Sequence, residues 1–133
     1  MRHSRSRVSS AALVLLLVVL QASQTRARDD IGVPLHPKAI PSSIVRQSGK
    51  GEGTNWLIVR FRASAPYAEV VKFYKQKAGR QVQISESESD KLVNTLILLV
   101  KSPENQINIS ISTEVGKKKQ VTEVELIRNY VSP

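Results

Sequence analysis

Few side chains in this 133-residue chain could do chemistry, and its two histidines come first among them. His36 sits in Pro34-Leu-His-Pro37 and could act as a ligand or general base, because imidazole changes charge near neutral pH. His3 belongs to a segment argued below to be removed. No carboxylate or second imidazole stands at a recognisable spacing from His36, so the small hydrolase it would support ranks last among the functions considered. Serines are plentiful, but no Gly-x-Ser-x-Gly elbow occurs, and a Ser–His pair would have to recruit His36. The chain has no cysteine, hence no thiolate nucleophile, disulfide or thiolate metal site. Asp29-Asp30 and the run of Glu86, Glu88 and Asp90 offer oxygen ligands without the alternating pattern and central glycine of a calcium loop. Gly49, Gly51 and Gly53 lack the preceding strand and following helix that a phosphate loop needs. No catalytic residue, cofactor or metal is expected. Asn108-Ile-Ser110 has the form of a glycosylation acceptor but falls inside a predicted strand.

Binding has better candidates. Lys117, Lys118 and Lys119 stand together at a predicted hairpin tip, where they could meet phosphate or sulfate groups. Arg60, Arg62 and Trp56 share one face of a predicted strand and could give a cation-plus-stacking surface for an anionic glycan, lipid head group or nucleic acid. Against this, three lysines at a tip also keep a sheet edge from pairing with other chains. The aromatic content of 5% is far from a nucleic-acid-binding signature.

The elements that must position these residues begin after an amino-terminal leader. Arg2, Arg5 and Arg7 precede an apolar run over residues 11–20, and a polar stretch with small residues follows, in the order of a secretory signal. Ten helical residues rise only about 15 Å against a hydrocarbon core of about 30 Å, so no permanent membrane span is expected. Thr25-Arg-Ala27 suits cleavage after Ala27, with Ala22 as an earlier option, and the n-region lacks an Arg-Arg pair. Cleavage removes four arginines and no carboxylate, leaving 16 cationic against 11 acidic residues, so the net charge falls from +9 to +5. The intact chain's isoelectric point of about 10.2 overstates how basic the working protein is.

Residues 28–53 read as an extended lead-in and flexible loop, with Pro34, Pro37 and Pro41 opposing helix and Ile31, Val33, Leu35 and Ile40 able to touch the core. Residues 54–133 carry the periodic signals of one α+β domain. Leu57, Val59 and Phe61 alternate with Trp56, Ile58, Arg60 and Arg62 in a strand. A helix follows to Ala78, with Ser64 as N-cap, Tyr67, Val70, Val71, Tyr74 and Ala78 as its apolar stripe, and Gly79 as its stop. Val82 and Ile84 mark a short strand ending in an acidic turn at Glu86 to Asp90. The run 92–100 is apolar on both faces, as expected of a central strand or one whose second face meets another surface. Ile107, Ile109 and Ile111 define a fourth strand, and Val124 and Leu126 a fifth. The order β-α-β-β-β-β predicts a two-layer domain, an antiparallel sheet of about five strands with one helix on one face.

Pro34-Leu-His-Pro-Lys-Ala39, the strand after it, and a helix that opens past Ser64 and carries Val70-Val-Lys-Phe-Tyr74 together resemble small exported bacterial domains of unknown function. In those a Pro-aromatic-Pro-x-Ala lead-in precedes a helix with a Phe-Tyr pair, and His36 stands at the aromatic position. The resemblance implies a bacterial envelope protein of this two-layer shape and assigns no activity. The expectation is therefore an exported domain, periplasmic or secreted, that acts without enzymatic chemistry by binding or as an accessory surface. Its partner would be an anionic envelope polymer or another envelope protein, and self-association through the run 92–100 or the exposed sheet face is a further route.

Overall fold

A computed structural model of the chain describes residues 31–80, 82–116 and 121–131. The expected leader over residues 1–27 lies outside them. The compact unit Ile31–Pro133 is built on one antiparallel sheet. Its strands are β1 (Val45–Lys50), β2 (Asn55–Ala63), β3 (Val82–Glu88), β4 (Leu92–Ser102), β5 (Asn105–Glu114) and β6 (Thr122–Tyr130), in the order β1-β2-β6-β5-β4-β3. A single long helix among the described residues, α1 (Tyr67–Ala78), links β2 to β3 and rests mainly on β5 and β4. The two-layer α+β architecture is the one the sequence pattern predicts, with six strands in place of about five.

The core follows from period-two alternation. Val59 and Phe61 on β2, Val124 and Leu126 on β6, Ile107, Ile109 and Ile111 on β5, and Ile97 on β4 are all buried beneath the helix layer. From α1 the buried residues are Val70, Val71, Tyr74 and Ala78, a stripe at helical spacing. Gly79 ends the helix at φ +82°, a conformation that favours glycine, and its N–H donates to the Lys75 carbonyl. The helix start differs from expectation. Pro66 occupies the N-cap without any side-chain cap, and the Ser64 N–H donates instead to the Lys38 carbonyl at 2.8 Å.

Two strand boundaries also differ. The first strand, β1, lies where residues 28–53 were expected to be lead-in and loop, and it pairs with β2 from Val45 opposite Arg60 to Lys50 opposite Asn55. It has no alternating apolar residues to betray it. Its Gly49 faces Trp56 across the ladder, and a Cβ on that glycine would come within 2.3 Å of the indole ring, so the large side chain of one strand fills the place of the missing one on the other. The second is β3, which continues through Glu86, Ser87 and Glu88, residues expected to form an acidic turn, because each finds a register partner on β4.

The lead-in is part of the fold. Ile31 and Val33 are buried in the core, Ala39 bridges Ala63, and the Ile40 N–H donates to the Arg62 carbonyl at 2.8 Å. The Ser43 hydroxyl donates to the Ile40 carbonyl and accepts the Arg62 N–H at 2.9 Å, holding the short 3₁₀ turn Pro41–Ser43 against the strand end.

Candidate functional site

On its β3 side the sheet extends one strand beyond the helix. Because α1 sits over β5 and β4, only Val82 of the helix-side residues of β3 packs partly against the core, while Ile84, Glu86 and Glu88 stay exposed. Ile84 is 44% exposed although it points to the same side as buried Ile97, its direct partner on β4. The space beside the helix is an open trough of about 690 Å³. Ala68 and Val71 of α1 and Val93 and Thr95 of β4 line it, and the Tyr67 hydroxyl shares a hydrogen bond with the Thr95 hydroxyl. Lys72 and Lys75 stand along its helix wall, and Glu86 and Glu88 along its strand wall. Lys75 Nζ reaches Glu86 Oε1 at 3.1 Å, an exposed pair that contributes little to stability and stays free to exchange partners. The trough is thus an apolar trench between a cationic and an anionic rim, next to the unpaired backbone edge of β3.

Arg60, Arg62 and Trp56, singled out from sequence, do not line it. Arg60, Arg62 and Trp56 do share the helix-free face of the sheet, as their alternation predicts. There the register sets Arg60 opposite Glu125 and Arg62 opposite Glu123. Arg60 Nε donates to Glu125 Oε2, and Glu123 and Glu125 line the same hollow of about 370 Å³ as the two arginines, Ser110 and Ser112. The carboxylates offset the field that an anionic polymer would follow. Trp56 lies over Gly49 instead of standing free to stack. Lys117, Lys118 and Lys119 fall outside the described residues, as do Asp29 and Asp30. Glu86 and Glu88 face the trough while Asp90 follows the end of β3, and among the described residues no three His, Asp or Glu side chains converge to hold a metal ion. Asn108 and Ser110 sit on the helix-free side of β5, opposite Leu98 and Leu96 of β4. On that side β4 leaves Leu92, Leu96 and Val100 exposed, and it lies second from the sheet edge instead of centrally.

His36 is buried by the lead-in and lines neither cavity. Its ring meets the edge of Phe73 at a centroid separation of 4.8 Å, and Nδ1 accepts the Lys38 backbone N–H at 3.0 Å. That bond leaves the neutral ring its proton on Nε2. Burial holds the imidazole below its usual pKa, Glu69 draws it back up, and Lys38 pushes it down. Next to it the Tyr74 hydroxyl donates to the Pro34 carbonyl at 3.1 Å, and burial raises its pKa far above the ordinary phenol value. These two polar groups fasten the lead-in to α1. Their role is positional.

What sequence reasoning missed is the trough and its acidic wall. One signal was present: Glu86 and Glu88 continue the alternation of Val82 and Ile84, which places carboxylates on the face that should be apolar. Set against family models, curated proteins and solved structures, the chain finds no match in any of the three.

Proposed function

We propose that this chain is an exported, non-enzymatic binding domain that takes an extended polypeptide strand at the open edge of β3, beside the trough. The single observation that carries the proposal is the uncovered β3: an exposed isoleucine and two carboxylates on the helix side of a strand with a free backbone edge. A strand added to such an edge gains main-chain hydrogen bonds, and its alternate side chains are read by the neighbouring face. Here that face would select apolar and basic residues at alternate positions, because Ile84, Glu86 and Glu88 lie on it in a row. The secretory pattern of residues 1–27 supports export. Enzymatic chemistry is not part of the proposal, since His36 is engaged in holding the lead-in and faces neither cavity.

The test is titration of the purified, isotopically labelled protein with an eight-residue peptide that carries lysine, lysine, valine and valine at alternate positions with threonine between them, so that all four face the row of Glu88, Glu86, Ile84 and Val82. Amide shifts should concentrate on residues 82–88 and on Val93 and Thr95, and should vanish when the valines are replaced by prolines. Shifts confined to the helix-free face, or no shifts at millimolar peptide, would discard it.

A further inference from the structure

Among the described residues the sheet has two free edges, and they are opposites. One edge, β1, reads Val-Arg-Gln-Ser-Gly-Lys and holds two cations with no carboxylate. The other, β3, reads Val-Gln-Ile-Ser-Glu-Ser-Glu and holds two carboxylates with no cation. Neither contains a proline, and among the described residues β1 pairs only with β2 and β3 only with β4. Natural sheets usually blunt their edges with charge of one sign, short strands, bulges or proline. Here each edge repels its own kind, Glu against Glu and cation against cation, while the two attract each other.

We infer that the strand taken by β3 is β1 of a second copy of this chain, so that copies add edge to edge into an extended array. The inference rests on the strand-binding reading above and names its partner. Direction permits it. Every neighbouring pair in β1-β2-β6-β5-β4-β3 is antiparallel, so β1 and β3 run in opposite senses, and a second copy placed alongside in the same orientation sets its β1 antiparallel to the first copy's β3. Facing permits it too. Arg46 is paired with buried Val59, so Arg46, Ser48 and Lys50 project to the helix side, as do Val82, Ile84, Glu86 and Glu88. Opposed residues of an antiparallel pair share a face. With Glu88 opposite Arg46, Glu86 falls opposite Ser48 with Arg46 and Lys50 diagonal to it, and Lys50 opposes Ile84, which its aliphatic stem would cover. Gln47 and Gly49 then oppose Ser87 and Ser85 on the other side, none of them charged. Lys75, already within 3.1 Å of Glu86, would share that carboxylate with the incoming cations. Because the interface joins two different surfaces, it leaves one acidic and one basic edge free and does not close on itself as a symmetric dimer would. Strand twist makes such an array wind.

Charge exchange gives a test that folding defects cannot imitate. Wild type, Glu86→Lys/Glu88→Lys and Arg46→Glu/Lys50→Glu are compared by sedimentation velocity over a concentration series at low and high salt, each first checked for native circular dichroism. Wild type should grow beyond dimer with concentration and retreat as salt screens the edges. Each double variant, now carrying two edges of one sign, should need about tenfold more protein to associate, the effect of two cross-strand charge pairs turned from attraction to repulsion. An equimolar mixture of the two variants should associate again, because each supplies the edge the other needs. Wild type that stays monomeric at millimolar concentration, a mixture that fails to recover, or association lost on Leu96→Asp but kept in both charge variants, would overturn the inference. In the first two cases a valine–lysine peptide that still shifts residues 82–88 leaves the strand-binding reading standing with a different partner. No peptide shift removes both.

Discussion

Ile84 and Ile97 stand directly opposite each other on neighbouring strands and point to the same side of the sheet, yet one is 44% exposed and the other 1%. The difference lies in what crosses above them. Toward β2 the lead-in lies against the sheet, with Ala39 bridging Ala63; its Ile31 and Val33 are buried in the core beside Ile107, and it is tied to α1 through His36, Phe73 and Tyr74. Toward β3 none of the described residues takes that place, and the trough remains. Apolar alternation tells a strand which side to turn inward; only the next layer decides whether that side becomes core or surface.

The largest test of this contrast sets one residue from each flank against the other. Tyr74→Ala on the closed flank should cost about 3–5 kcal/mol in denaturant unfolding, from lost burial and a cavity. Ile84→Ala on the open flank should cost under about 1 kcal/mol. Similar losses would erase the distinction. The far edge obeys the same rule on a smaller scale. Gly49→Val, which drives a branched side chain into the Trp56 ring, should cost about 1–3 kcal/mol, and combining it with Trp56→Ala should cost less than the sum of the two single changes.

Acid should loosen the closed flank. His36 has a depressed pKa in the folded protein, so the unfolded chain binds the proton more readily. The stabilisation it gives is present above the ordinary imidazole value of about 6.5 and is lost as pH falls from there toward the folded pKa. Protonating Nδ1 would also set two donors face to face at the Lys38 N–H. His36→Asn keeps an acceptor there and cannot titrate, so its unfolding free energy should fall less between pH 7 and 5 than that of wild type. An identical slope would mean that another group senses the acid. The smallest effect belongs to the helix-free face, where Arg60 and Glu125 are half exposed. A double-mutant cycle with Arg60→Gln and Glu125→Gln should give a coupling below about 1 kcal/mol that fades with salt.

Much of the fold was legible because its signals are local. The alternations around Val59, Ile109 and Leu126, the helical stripe from Val70 to Ala78 and the stop at Gly79 each sit where the pattern places them. The misses share a cause. The strand β1 is held by a side chain on its neighbour, the tail of β3 by a ladder whose polar residues read as a turn, and Ser64 by a bond to the lead-in that pre-empts its role as a cap. Each depends on a residue distant in sequence. The trough was illegible for the same reason, since its existence depends on how far across the sheet one helix reaches. The paired edges were visible as charge, but their opposition mattered only once the strand order made both of them borders.

Ile31, entirely shielded from solvent, and Val33 two residues on are core residues carried at the front of the packed lead-in. A chain shortened to begin at Pro34 would therefore lose core, and it should unfold at lower denaturant than one that keeps both.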